Sequence, residues 1–279
     1  MTSKIPQRFK SSQGLAYVKV GTGPSLVLIH GVGLRLDAWL NQLDELAQHF
    51  TVYAVDMPGH GESDLFPSCG DIAGYTDVIA QWIDSDVSTP VVIAGHSMGS
   101  MIALNFAIRY GANCAGVVAL NSVFRRSQEA KKAVQSRVEQ MKQNITAENV
   151  TAPIQRWFDF PLQGADVRHA ELCGEWLSKA SLEGYRQAYE VFCFNDGPAT
   201  EDLTSLAVPA LFSTGRGDPN STAEMSEAMA TLCPHGQSYI IEDARHMAPM
   251  THSDELNPII IKFGQKCFDP KEEVFYERA

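Results

Sequence analysis

The amino-acid sequence predicts an α/β protein with a mostly parallel central sheet flanked by helices and a helical segment inserted before the last strands. Three observations predict it. Short apolar runs alternate along the chain with segments of helical spacing. The runs are continuously apolar, as strands buried on both faces require. Between residues 120 and 208 the alternation breaks for a stretch that is far too long for a crossover and reads mostly as helices.

The predicted strands fall at residues 26–29, 52–55, 91–94, 115–120, 208–212 and 238–241. The first crossover helix covers residues 37–50, where Trp39, Leu40, Leu43, Leu46, Ala47 and Phe50 recur at helical spacing. A second covers residues 97–110 and is apolar nearly all round, so it is buried and central. Within the insertion, 127–144 places Ala130, Val134, Val138 and Met141 on one face. Thr151 followed by Pro153 marks a helix start, and 181–194 is a further helix. A last helix runs over about 253–268. The chain thus divides into a core of residues 1–124 and 201–279 and an insertion of residues 125–200.

Composition narrows the function. The 279 residues are 44% hydrophobic, enough for one large core. Thirty-three acidic against twenty-two basic side chains give a net charge of −11, which disfavours nucleic acid and anionic membranes as partners. Residues 125–200 carry ten of each sign, so the core holds the whole deficit. The six cysteines are scattered, without metal-ligand spacing or a disulfide framework. The first fourteen residues are polar and no run suits a membrane span, so a cytoplasmic protein without signal peptide is expected.

The chemistry starts at "VVIAGHSMGS", residues 91–100, where an apolar strand ends in a serine between glycines and an apolar helix begins. That strand-turn-helix context turns a weak Gly-x-Ser-x-Gly match into a nucleophile elbow. Gly95 and Gly99 let strand and helix approach, and Ser97 sits at the apex. A serine hydroxyl needs a base and the base an orienting acid. His246 follows the last predicted strand and is the expected base. His30 and His60 lie in glycine-rich turns, His96 lies inside the elbow, and His49, His169, His235 and His252 sit in helical or surface-like contexts. Asp218, just after the strand at 208–212, emerges at the same sheet edge and is the expected acid. Asp243 is too near His246 along one loop, and Asn121 and Ser122, after the strand at 115–120, cannot hold a negative charge. For the oxyanion, the backbone N–H groups of Val32, in "HGVG", and Met98, at a helix start, are the expected donors.

These motifs together resemble the alpha/beta-hydrolase superfamily. "HGVG", "DMPGHGESD", "GHSMG", "GRGDPN" and "HMAP" occur in the superfamily's order, with nucleophile, acid and histidine in sequence, over nearly the whole chain. The resemblance implies the alpha/beta-hydrolase fold, Ser97, Asp218 and His246 as a triad, and residues 125–200 as a helical lid. It implies a serine hydrolase of a small-molecule carboxylic ester or lactone. A carbon–carbon hydrolase of ring-fission products, an acyltransferase and a ligand sensor remain open, the first disfavoured because His96 stands where that branch has asparagine. No metal or organic cofactor is required. Two departures stand out: Ser100, where many relatives have glycine, and Arg245, where close relatives usually have glycine and where a solvent-facing side chain is expected.

The insertion carries Trp157, Phe158, Phe160, Trp176, Tyr185, Tyr189, Phe192 and Phe194, about half of which are expected in its own core and some around a substrate. Arg125, Arg126 and Arg156, with Trp157 and Phe158, are the candidate substrate contacts, the arginines for a carboxylate.

Overall fold

In the computed structural model, which describes residues 6–143 and 148–269, eight strands form one sheet. They are β1 (Arg8–Lys10), β2 (Ala16–Val20), β3 (Ser25–Ile29), β4 (Thr51–Val55), β5 (Val91–His96), β6 (Cys114–Leu120), β7 (Ala210–Gly215) and β8 (Gly236–Ile241). Across the sheet the order is β1-β2-β4-β3-β5-β6-β7-β8. Strands β3 to β8 are parallel, whereas β1 pairs β2 and β2 pairs β4 antiparallel. The six predicted strands are β3 to β8.

Side chains alternate across each strand, and this splits the core into two layers. Val27, Ile29 and Ile93 face one layer, shared with Ile79, Trp82 and Ile83 of α2 (Ile72–Asp86) and with Ile102 and Phe106 of α3 (Met98–Arg109). Leu26, Leu28, Val92 and Ala94 face the other. There they meet Leu43 and Leu46 of α1 (Leu40–Leu46), along with Ile259, Ile260 and Phe263 of the C-terminal helix, Ser253–Phe268. Each such side chain, fully buried, contributes about 1.5–3 kcal/mol of transfer free energy, which is why the runs are apolar without a break.

The differences from expectation have physical causes. Strands β1 and β2 lie at the antiparallel end of the sheet; β2 reads "AYVKV", with Lys19 exposed, and lacks the continuous run of a doubly buried strand. Strand β7 starts after Pro209 and extends through Ser213 and Thr214, both fully sunk in the sheet although polar. Residues 37–50 form a 3-10 turn, Leu36–Trp39, before the shorter α1. Helix α2 begins at an Asp71 cap whose carboxylate accepts the Gly74 N–H at 2.7 Å.

Between β6 and β7 the chain builds α4 (Gln128–Gln143), α5 (Glu148–Trp157), α6 (Ala165–Lys179), α7 (Leu182–Cys193) and the short α8 (Thr200–Thr204). Helix α4 buries Val134, Val138 and Met141. Pro153 does not start α5; the helix begins at Glu148 and the proline lies inside it. Past β7 follow α9 (Ala223–Leu232), β8, α10 (Ala248–Thr251) and α11 (Ser253–Phe268). Among the described residues no helix is long and apolar enough to cross a membrane.

Candidate active site

Ser97 joins β5 to α3 with φ 55° and ψ −121°, a left-handed conformation that a non-glycine residue adopts only when its surroundings enforce it. Here the surroundings are close backbone approaches. A Cβ at Gly95 would stand 2.0 Å from the Gly99 carbonyl oxygen, and one at Gly99 would stand 2.2 Å from the Ile29 carbonyl oxygen. The Ser97 N–H donates to the Leu120 carbonyl at 2.8 Å. Its own carbonyl accepts the N–H and hydroxyl of Ser100, so the serine at that departure stitches the first turn of α3.

The ends of β7 and β8 bring Asp218 and His246 together at this sheet edge. His246 Nδ1–H donates to Asp218 Oδ2 at 2.7 Å, with both side chains almost wholly buried. Burial alone would push the Asp218 carboxyl up. The neighbouring His246, the Asn121 amide and the Asn220 N–H reverse that and hold it below its ordinary value. Asn121 Nδ2 donates to Asp218 Oδ2 at 2.9 Å and to Thr214 Oγ1 at 3.0 Å. Asn121, unable to carry charge, therefore still binds the Asp218 carboxylate. Asp243 is exposed and takes no part in this pair.

His96 is expected inside the elbow but with no part in the triad, yet its Nε2–H donates to the His246 carbonyl at 2.7 Å and its ring lies 4.9 Å from the His246 ring. Burial, aided by His246, depresses it to about 3, so it is a neutral donor. His30 does the same for the loop that follows β3. Its Nδ1–H donates to the Gly31 carbonyl at 2.8 Å and its Nε2 accepts the Met57 N–H at 2.9 Å, and burial lowers it well below the usual histidine value. Val32 follows on that loop and lines the cavity, and Met98 is the first residue of α3, fully buried. The signal for both histidines was their place within the glycine motifs, which identifies a turn but not its hydrogen bonds.

Ser97 and His246 open into a cavity whose far walls come from the insertion. Trp157, Tyr185, Tyr189 and Phe192 line it, which accounts for four of the eight insertion aromatics, and so do Arg137 and Arg156. Arg137 donates to the Tyr189 hydroxyl at 3.0 Å. Arg156 lies lower than an ordinary guanidinium because of burial and the charge of Arg137, and its Nε has no partner among the described residues. Trp157 lies over the His246 ring at 6.0 Å and 27°.

The other substrate candidates are elsewhere. Arg125 is exposed, reaches the Thr200 hydroxyl and covers the Phe124 ring. Arg126 is buried and closes the C-terminal end of α7, donating to the carbonyls of Phe192 and Cys193 at 3.0 and 3.1 Å and pairing with Asp196 at 2.6 Å. Phe158 is sunk among Leu34, Ala170, Cys173 and Met250. Arg245 does not point to solvent: it donates to the Phe158 carbonyl at 3.1 Å. Among the described residues no cluster of three or more His, Cys, Asp or Glu is placed to hold a metal ion.

This sheet order, with a serine elbow after β5, defines a class. The family model described as alpha/beta hydrolase fold matches residues 24–253, and the chain belongs to the alpha/beta hydrolase family. It is similar to (E)-2-((N-methylformamido)methylene)succinate hydrolase of Acinetobacter baylyi, 35% identical over 257 residues that cover 92% of this chain and 96% of that one. It is also similar to a pimeloyl-[acyl-carrier protein] methyl ester esterase of Vibrio atlanticus, at 26% identity over 88% of this chain and 96% of that one. Among solved structures, a thermophilic esterase from Thermogutta terrifontis with malate bound has a TM-score of 0.82 at 27% identity, covering 94% of this chain and 99% of that one.

Proposed function

We propose that this hydrolase is a serine enzyme that cleaves a carboxylic ester or lactone of a small, carboxylate-bearing molecule through an acyl-enzyme intermediate. The observation that carries the reading is Ser97, held at a strained elbow, sharing one cavity with a His246 whose Nδ1–H is committed to Asp218. That commitment leaves Nε2 as the basic nitrogen. Nε2 takes the Ser97 proton as Oγ attacks the carbonyl, and the N–H groups of Val32 and Met98 hold the oxyanion. The proton passes to the departing alkoxide. Water, activated by the same nitrogen, then releases the acid and regenerates Ser97. Each oxyanion donor is worth about 2.7–4 kcal/mol of transition-state stabilisation in such sites. Residues 125–200 act as a lid, and Arg137 and Arg156 receive a substrate carboxylate.

The charge assignment is supported by two relatives: one named for a substituted succinate, the other solved with malate. The first also favours a second reading, in which the substrate is a substituted succinate of that kind instead of an ester.

The test is hydrolysis of p-nitrophenyl esters of increasing acyl length, neutral and carboxylate-bearing, alongside (E)-2-((N-methylformamido)methylene)succinate, with Ser97→Ala as the blank. Ser97-dependent turnover that favours carboxylate-bearing esters is expected. Turnover of the substituted succinate alone selects the second reading, and no turnover above the blank on any of them rejects both.

A further inference from the structure

Helix α5 ends in Arg156 and Trp157, with Phe158 and Asp159 directly after it, and the first three of these residues face three different surroundings. Arg156 faces the cavity, Trp157 lies over His246, and Phe158, 1% exposed, is anchored in the cluster with Leu34 and Met250. The backbone of this strip is tied to the loop that carries His246 from both sides of the histidine. On one side, Met247 N–H donates to the Trp157 carbonyl at 3.4 Å. On the other, Arg245 donates to the Phe158 carbonyl at 3.1 Å and pairs with Asp159 at 3.3 Å. Asp159 is 78% exposed, so water screens that pair and the bond to the carbonyl is the stronger tie.

Arg245 is itself held toward the acid. Its carbonyl accepts Asn121 Nδ2 at 3.4 Å, the same amide that donates to Asp218. Its stem crosses Gly217, where a Cβ would stand 3.2 Å from Arg245 Cγ. One residue therefore links the acid, the base loop and the end of α5.

We propose that Arg245 is a positioning residue that clamps the end of α5 to the His246 loop, so that Arg156 and Trp157 are held over the base and carboxylate-bearing substrates are aligned for attack. The inference rests on the proposed roles of Ser97, His246 and Arg156. A neutral substrate, which makes no use of Arg156, depends on the clamp far less than a charged one.

The experiment compares wild type with Arg245→Met, which keeps the stem and removes the donors, and Arg245→Lys, which keeps a donor. Three readouts are taken: turnover of p-nitrophenyl acetate and of mono-p-nitrophenyl succinate, labelling of Ser97 by a small fluorophosphonate, and the His246 Cε1–H resonance. Arg245→Met is expected to lower kcat/KM for the succinate ester about tenfold, the order of loss that loosened positioning produces. The acetate ester and the labelling rate should change less than about threefold, and Arg245→Lys should recover part of the loss. Parallel loss on both esters with slowed labelling overturns the proposal, because Arg245 then only supports the base, and so does an unchanged preference between the esters.

Should wild type turn over neither ester, or show no preference for the charged one, the proposed substrate reading fails separately. The resonance then decides the clamp: a His246 signal that moves in Arg245→Met, as Trp157 leaves the imidazole face, upholds it, and an unmoved signal overturns it.

Discussion

The floor and the roof of the cavity are built on opposite terms. On the floor, the Asp218 carboxylate and the rings of His30 and His96 are bonded within the protein, although Asn121 Oδ1, Ser122 Oγ and His60 Nε2 are buried without a partner: Asp218 accepts from His246, Asn121 and Asn220, and His30 and His96 are neutral and bonded to backbone. On the roof, two cations stand near each other. No carboxylate lies within ion-pair distance of Arg137 or Arg156 among the described residues, and Arg156 retains a buried Nε without a partner. The Asp218–His246 pair is in place before any ligand arrives, whereas among the described residues no carboxylate pairs with the two arginines of the roof. In the proposed mechanism the difference separates residues that would make the reaction possible from residues that would choose its substrate.

The largest effects belong to the floor. Ser97→Ala is expected to lower kcat by about 10⁶ and Asp218→Asn by about 10⁴, as in triads where the acid is neutralised and the imidazole adopts the wrong tautomer. Steady-state kinetics on a neutral ester measures both. An Asp218→Asn loss no larger than that of Asp243→Asn would return the acid assignment to the exposed carboxylate on the loop of His246.

The two regions also differ in their response to acid. Burial lowers His60 to about 4 and His96 to about 3, and lowers His30 well below its ordinary value, whereas arginines do not titrate in this range. A histidine kept neutral in the fold binds its proton more readily when unfolded. The unfolded chain therefore holds more protons below about pH 6.5, and stability falls as pH falls from there toward the folded values. Each such histidine costs about 1.4 kcal/mol at one pH unit below its unfolded value. The depressed Asp218 carboxyl adds a loss only at lower pH, as it is protonated through its folded value. Denaturant midpoints at pH 7.5, 6.5 and 5.5 are expected to decline below 6.5, and His96→Gln, which keeps a donor without a titrating ring, should shrink the decline. A flat profile would mean that these rings are protonated in the fold and the floor is not prepaid.

The same contrast explains what could be read from the sequence. Strands β3 to β7 are legible because burial on two faces demands unbroken apolar runs, the mostly half-exposed edge strand β8 only through Tyr239, Ile240 and Ile241, and Ser97, Asp218 and His246 because a parallel sheet puts the ends of β5, β7 and β8 at one edge. Their supporting groups are not legible. Asn121 reads as a residue unfit to be the acid, and only the fold shows its amide on Asp218. In the insertion, helical spacing reveals α4 and α7 but not which of the arginines face inward. Arg126 sits beside the start of the insertion as Arg125 does, yet is consumed by the end of α7, while Arg137, on the half-exposed side of α4, reaches the cavity. Which way a charged side chain turns depends on packing between helices far apart in sequence.

The smallest effects belong to the roof, and they separate function from stability. Arg156→Met should raise KM for a carboxylate-bearing ester about 10- to 100-fold, the worth of roughly 1.5–3 kcal/mol for a hydrogen bond to a charged group, and leave a neutral ester within about threefold. Its thermal effect should run the other way. Removing a half-buried cation that has another cation beside it and no carboxylate lifts a desolvation and repulsion cost, while methionine refills the space among Trp157, Tyr185 and Tyr189. A gain of about 1 kcal/mol would raise Tm by roughly 2–4 °C in a chain of this size. The change that weakens charged substrates therefore stabilises the free protein. A fall in Tm with KM unchanged would make Arg156 a structural member of the roof, held by the protein itself and not in wait for a substrate carboxylate.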